Sequence, residues 1–166
     1  MDLSCIIVNY NSSEPLKDCL ESIYETIQEI ECEVIVIDNS EDDPGLQILK
    51  ESYPKAQFIF NPSNVGFSKA NNQAAKIARG DFLIFLNPDT ILSNQAIHSM
   101  HGYFCSHPQI GALGPKVLNP DGSLQYSCRR YPTVWTGLFN RYSLLSRLFP
   151  ENHFTSRYLM LDFDHN

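Results

Sequence analysis

The chain has 166 residues with 43% hydrophobic and 19% charged side chains, a balance that supports a packed core and excludes an intrinsically disordered polymer. Nineteen Asp and Glu against twelve Lys and Arg leave a formal charge of −7, which argues against nucleic-acid binding. Any phosphate must then be met locally, by backbone N–H groups, a metal ion or a few chosen cations.

The five cysteines are odd in number and contain no C-x-x-C pair, so they read as reduced thiols rather than a disulfide framework. The opening MDLSCIIVNY lacks the charged and long apolar regions of a signal peptide. No apolar run approaches the roughly 20 residues of a membrane-spanning helix. A cytoplasmic protein is expected, and peripheral association with the inner face of a membrane is compatible with that.

In chain order, Leu3–Val8 is a short apolar run ending in Asn-Tyr-Asn, a buried strand followed by a turn. A helix follows, with Ser12 and Ser13 as caps, Pro15 in its first turn, and Leu16, Cys19, Leu20, Ile23, Ile27 and Ile30 on one apolar face. Glu33–Ile37 is a β-branched strand ending at Asp38-Asn39-Ser40, and Leu46–Tyr53 is a helix closed by Pro54. Gln57–Phe60 is a third strand. The helix Ser68–Ala78 comes next, with Gly80 placed as its C-cap. Phe82–Leu86 is a fourth strand ending at Asn87-Pro88-Asp89-Thr90, and a helix runs from about Ser93 to His107 with Ile97, Met100, His101 and Phe104 inward. Asn119-Pro120-Asp121-Gly122 between Ile110–Leu118 and Ser123–Cys128 predicts a β-hairpin. The remainder, 131–166, is aromatic-rich and irregular, with one helix expected around Phe139–Leu148.

Strand and helix alternate, and the strands are unbroken apolar runs. That is the pattern of an α/β protein with a parallel sheet covered on both faces. Right-handed crossovers bring every strand's carboxyl end to one edge, so the polar loops beginning at Asn9, Asp38, Asn61 and Asn87 share it. The whole chain reads as one domain, with a βα core over about 1–107, the hairpin over 108–130 and the tail over 131–166.

That edge is rich in amides and poor in cations. The fingerprints G-x-G-x-x-G and G-x-x-x-x-G-K-[ST] are absent, which excludes an ordinary dinucleotide or P-loop site. A carboxylate at Asp38 either accepts from a base imide or ribose hydroxyl, or closes an Asx-turn. Gly66, in Asn64-Val65-Gly66-Phe67, serves close backbone approach to a ligand, a positive φ, or both. Asn71 and Asn72 fall in the first turn of the next helix, where their low helix propensity suggests contacts. Arg79 reads as a complement to that helix's dipole. Asp89 suits a single-carboxylate contact to Mg²⁺ or Mn²⁺, or the cap of a strand-to-helix turn. His98 and His101 could form a metal face, but His101 lies on the apolar side and core packing is preferred. Arg129-Arg130 either grips a diphosphate or is a solvated basic pair. Trp135 is read as packing rather than as a sugar platform.

Taken together, SCIIVNYNS (Ser4–Ser12), EVIVIDNS (Glu33–Ser40), NPSNVGFSKANN (Asn61–Asn72), GDFLIFLNPDT (Gly80–Thr90) and IGALGPKVLNPDGSLQYSCRRYPT (Ile110–Thr133) resemble family 2 glycosyltransferases, especially a rhamnosyltransferase-like branch. The resemblance implies a GT-A-type fold: a Rossmann-like, mostly parallel central sheet with helices on both faces and a C-terminal β-hairpin. It also implies a UDP- or dTDP-sugar donor, with dTDP-rhamnose suggested by the branch. The implied acceptor is a hydroxyl of a glycan or lipid-linked saccharide in polysaccharide or cell-envelope synthesis.

Carried over, Asn9 and Tyr10 line the nucleotide pocket and Asp38 faces the base. Gly66 and Asn72 lie near ribose and diphosphate, and Asp89 holds Mg²⁺ or Mn²⁺. Asn11, Asn39, Asn64, Phe67, Asn71, Pro88 and Arg130 complete the candidate donor-site set. Asn87 stands where the family's D-x-D motif has its first Asp, which removes one charge and weakens metal binding. The family's reaction is an inverting displacement by an acceptor hydroxyl, with its carboxylate base in a later acidic segment. Asp162 and Asp164 are the only late carboxylates close together, and neither is assigned as that base. The chain is therefore expected to stop before the acceptor-binding part. Two alternatives from other classes are a catalytically incomplete nucleotide-sugar-binding module and a nucleotidyltransferase, the latter disfavoured because the chain opens with Asn9-Tyr10-Asn11-Ser12 rather than a Gly-rich loop.

Overall fold

A computed structural model of the chain describes residues 1–27, 30–93, 95–139, 143–149, 152–161 and 163. These fall into two compact units, Met1–Gly111 and Ala112–Asn166.

In the first unit, strands β1 (Leu3–Asn9), β2 (Cys32–Asp38), β3 (Gln57–Phe60) and β4 (Phe82–Leu86) form a parallel sheet in the order β3-β2-β1-β4. The register aligns Asn9 with Asp38, Asp38 with Phe60, and Ile7 with Leu86, so all four strands end on one edge. Between them run α1 (Ser13–Thr26), α2 (Pro44–Ser52) and α3 (Phe67–Ala75), and α4 (Ala96–Ser106) follows β4.

Successive strand residues point to opposite faces, and each face has its own cover. Cys5, Ile7, Val34 and Val36 pack with Leu16, Cys19, Leu20 and Ile23 of α1, Leu46 and Leu49 of α2, and Ile97 of α4. Ile6, Val8, Ile35 and Ile37 pack with Ala70 and Ala74 of α3. Burial on both faces explains why β1 and β2 read as unbroken apolar runs. Each fully buried Leu or Ile contributes about 1.5–3 kcal/mol of transfer free energy. β4 is different: as an edge strand it leaves Leu83 and Phe85, on the α3 face, substantially exposed.

Several local expectations are corrected. Ser12 occupies the N-cap position of α1, but its hydroxyl donates to the Tyr10 carbonyl instead of capping. Helix α2 begins two residues before Leu46, because Asp43 caps it through Gly45 N–H and Pro44 fits the first turn. Helix α3 ends at Ala75, so Gly80 is not its C-cap. A Cβ at Gly80 would lie 2.5 Å from the backbone of both Leu3 and Ser4, so close packing against β1 is what demands glycine there. Asn71 lies beyond the first turn of α3 and donates to the Phe67 carbonyl one turn back. Arg79 lies four residues past the end of α3 and pairs with Glu33 at 2.9 Å.

The second unit holds α5 (Val134–Leu138), α6 (Leu144–Leu148) and α7 (His153–Tyr158). The expected C-terminal β-hairpin is not present as a pair of strands among the described residues. Its turn forms, with Gly122 at φ +81°, but only the bridge Leu118–Leu124 joins its arms. A two-stranded ribbon without a third strand is marginal, which accounts for the difference. Trp135, 56% exposed, stacks on Phe154 at 5.5 Å, and Phe154 on Phe139 at 5.4 Å.

Candidate functional site

The tips of β1 and β2 form a braced polar cluster. Asn9 is fully buried, and its Nδ2 donates to Asp38 Oδ1 at 3.0 Å and to Ser40 Oγ at 3.3 Å. Asp38 Oδ1 also accepts from Ser40 N–H at 3.0 Å. Asn11, held at φ +50°, donates its N–H to Ser40 Oγ at 2.8 Å. Asp38 is 4% exposed, yet its Oδ2 takes no partner among the described residues and is not sealed from solvent. Asn9 Oδ1 is sealed and likewise has no partner among them. One carboxylate oxygen is thus locked and the other has no partner among the described residues. Tyr10 stands beside this cluster, 54% exposed.

Asn39 behaves otherwise. Its Oδ1 accepts from Asn61 Nδ2 at 2.9 Å, and its N–H donates to the Asn9 carbonyl, so it ties the β2 and β3 exits together. At the β3 exit, Asn64 Oδ1 accepts from Gly66 N–H at 2.9 Å. Gly66 is the N-cap of α3 at φ +86°, with no atom within 4 Å of where a Cβ would stand. A positive φ and open space beside the backbone therefore both apply at Gly66. Phe67 and Asn72 are exposed beside it, whereas the amide of Asn71 is engaged within α3.

Beyond β4, Asn87 and Asp89 are exposed and Pro88 is half-buried. Asp89 has no side-chain partner among the described residues. The turn carrying it is closed by Thr90 N–H donating to the Asn87 carbonyl at 3.1 Å. Cys19, beneath this turn, has its thiol pushed up to about 12 by burial and by the Asp89 charge, so it stays protonated near neutrality.

No three His, Cys, Asp or Glu side chains converge on a metal position among the described residues. The donor set at the β4 exit is one exposed carboxylate with an amide two residues away. That suits a hard cation carried mainly by phosphate oxygens and water, not an all-protein cage. His101 makes an edge contact with Phe82 at 5.5 Å, in keeping with core packing. Arg130 belongs to the second unit, where its N–H donates to the Tyr158 carbonyl. Asp162 and Asp164 lie outside the described residues. A hollow of about 180 Å³, lined by Tyr24, Ile27, Ile30, Cys32, Val34 and Lys55, sits at the opposite edge of the sheet, away from these loops.

The sequence reading missed Ser40, which links Asn9, Asn11 and Asp38, and Asn61, which holds Asn39. Their signal was present in the polar run after each strand but was outweighed by the acids and glycines nearby. It also missed Cys19 and Ser22, whose sequence context is only that of an apolar helix face.

No helix among the described residues is long and apolar enough to cross a membrane. The curated N-acetylglucosaminyl-diphospho-decaprenol L-rhamnosyltransferase of Mycobacterium tuberculosis is 27% identical over 167 residues, which cover 94% of this chain and 53% of that protein. The chain thus spans about half the length of that curated relative. Among solved structures, S. aureus TarS 1-349 in complex with UDP superposes with a TM-score of 0.57 at 27% identity, over 65% of this chain and 33% of that one. The fold also matches the mannosyltransferase PcManGT of Pyrobaculum calidifontis, solved with GDP-Man and Mn²⁺, with a TM-score of 0.59 at 19% identity over 72% of this chain and 36% of that one. The parallel α/β architecture is therefore of the GT-A type. The model described as glycosyl transferase family 2 matches residues 4–164, from the first strand to the last residues of the second unit, and the chain belongs to that family.

Proposed function

We propose that this chain forms the donor-binding part of an inverting, metal-assisted glycosyltransferase that uses a UDP- or dTDP-sugar. The observation that carries this reading is Asp38: a nearly buried carboxylate at a strand tip, with Oδ1 held by Asn9 and Ser40 and Oδ2 open. An acceptor fixed in that way suits the single imide N–H of uracil or thymine, and a mis-set base would leave a buried charge unpaired. The complex of TarS with UDP supports a uracil nucleotide as the first ligand to test.

In this reading Tyr10 and Asn11 flank the base. Gly66 lets ribose or phosphate approach the backbone at the start of α3, with Phe67, Asn64 and Asn72 at the rim. Asn87, Pro88 and Asp89 form the opposite wall, where Asp89 would hold Mg²⁺ or Mn²⁺. When bound, such an ion neutralises the charge growing on the departing nucleoside diphosphate. The acceptor is a hydroxyl of a glycan or lipid-linked saccharide, consistent with the diphospho-decaprenol named for the mycobacterial relative. The L-rhamnosyltransferase name of the same relative supports a rhamnose donor, taken in this reading as dTDP-rhamnose acting at the inner face of a membrane.

Calorimetric titration of the chain with UDP and dTDP, with and without Mn²⁺, tests the proposal. Binding that is lost in Asp38→Ala is expected. Absence of binding to the wild-type chain, or an unchanged affinity in Asp38→Ala, would overturn it.

A further inference from the structure

We propose that Cys19 and Ser22 of α1 are positioning residues for the loop that carries Asn87 and Asp89. This rests on the donor-site reading above and extends it to the groups beneath the loop. The two residues are three apart on one helix, so they share a face, and both are buried, at 0% and 7% exposure.

Cys19 Sγ–H donates to the Asn87 carbonyl at 3.7 Å. Leu92 N–H donates to Ser22 Oγ at 3.1 Å, and that hydroxyl donates in turn to the Cys19 carbonyl at 2.8 Å. The loop is therefore gripped before and after Asp89, while Thr90 N–H closes the turn between. Leu92 also packs against the core that Cys19 and Leu20 help to build.

The Asp89 carboxylate has no side-chain partner of its own among the described residues, so its place is set by backbone, and that backbone is set by α1. The same helix begins four residues after Asn9, at the nucleotide side of the edge. One rigid element thus spaces the two walls of the site. Neither support adds a charge beside Asp89: one is a neutral hydroxyl, the other a protonated thiol.

The test uses Cys19→Ala, Cys19→Ser and Ser22→Ala in the 166-residue chain. UDP is titrated without metal and with saturating Mn²⁺, and the ratio of the two affinities is read. Both Ala variants are expected to keep the metal-free affinity within about twofold and to lose about fivefold to tenfold of the Mn²⁺-dependent gain, the effect of one neutral hydrogen bond. Cys19→Ser keeps a donor toward the Asn87 carbonyl and should retain most of that gain. If Cys19→Ala melts too low to titrate, Cys19→Val fills the volume without the donor and gives the same reading.

A Mn²⁺ gain that survives in both Ala variants overturns this inference alone, as does an equal loss with and without metal that tracks the melting temperature. A wild-type chain that binds UDP with no Mn²⁺ gain overturns the Asp89 assignment and this inference with it. A wild-type chain that binds no UDP overturns the donor-site reading itself.

Discussion

At the amino edge of the sheet, Glu33 accepts four hydrogen bonds, from Ser4 Oγ and from the N–H, Nε and Nη2 of Arg79. At the carboxyl edge, Asp38 accepts two, both on one oxygen, and leaves the other open. The strands are the same, and both acids sit on β2. The amino edge closes further on itself: Ser4 Oγ accepts from Gly80 N–H at 2.9 Å, and the amino terminus pairs with Glu31 at 3.2 Å. Among the described residues the carboxyl edge keeps an oxygen of Asn9 and the carboxylate of Asp89 without side-chain partners, and Gly66 has open space beside it. A fold that satisfied those groups internally would gain stability, so, on the proposed donor-site reading, stability and binding are separated along one strand.

The largest effect that would sharpen this contrast is expected from Gly80→Ala. A Cβ 2.5 Å from the Leu3 and Ser4 backbone forces β1 and β4 apart and should cost about 3 kcal/mol of stability in urea unfolding. UDP affinity of the folded fraction should not change. Asp38→Asn reverses the pattern. Its Oδ1 still accepts from Asn9 and Ser40, but an amide group faces the ligand donor, so UDP affinity should fall about 30-fold, the worth of a charged hydrogen bond, with little change in melting temperature. If Asp38→Asn melts as early as Gly80→Ala, the division of labour between the edges is wrong.

Glu33→Gln comes next. Burial alone would raise the Glu33 carboxyl, but the Arg79 N–H, the Ser4 hydroxyl and the Arg79 guanidinium outweigh it and hold the group below its ordinary 4.5. Its stabilisation is therefore full above the unfolded value and is lost as pH falls through the lower, folded one. The variant should lose about 1 kcal/mol at pH 7, and its stability-against-pH curve should be flatter than wild type below about pH 4.5. A wild-type curve with the same slope there would show that Glu33 is not linked to folding. The smallest effect is expected from Arg79→Ala. Its side chain is 71% exposed, so loss of the ion pair should cost under about 1 kcal/mol and shrink further in high salt.

Much of the core and part of the site were legible in the residues. Strands β1 and β2 announced themselves because burial on both faces admits only apolar side chains along the run. Asp38 and Gly66 stood out because each closes or opens an element with a residue that has a local job there. Helix α2 starts two residues before the expected Leu46, because its Asp43-Pro44 cap precedes the first apolar residue of the helix. Gly80 was misread because its reason lies in β1, far away in the chain. The hairpin failed for the opposite reason: its turn is local and forms, but its arms need partners that the local pattern could not supply.

Local chemistry alone was enough to specify alternating strands and helices, a parallel sheet, and four polar loops on a common edge, because apolar runs and right-handed crossovers leave few other arrangements. Only the tertiary structure decided that β1 lies between β2 and β4, that Asp38 Oδ1 is the oxygen held by Asn9 and Ser40, and that Cys19 reaches the carbonyl of Asn87 across 68 residues of chain. Such contacts depend on strand order and on which helix face meets which loop, and no short window of residues contains either.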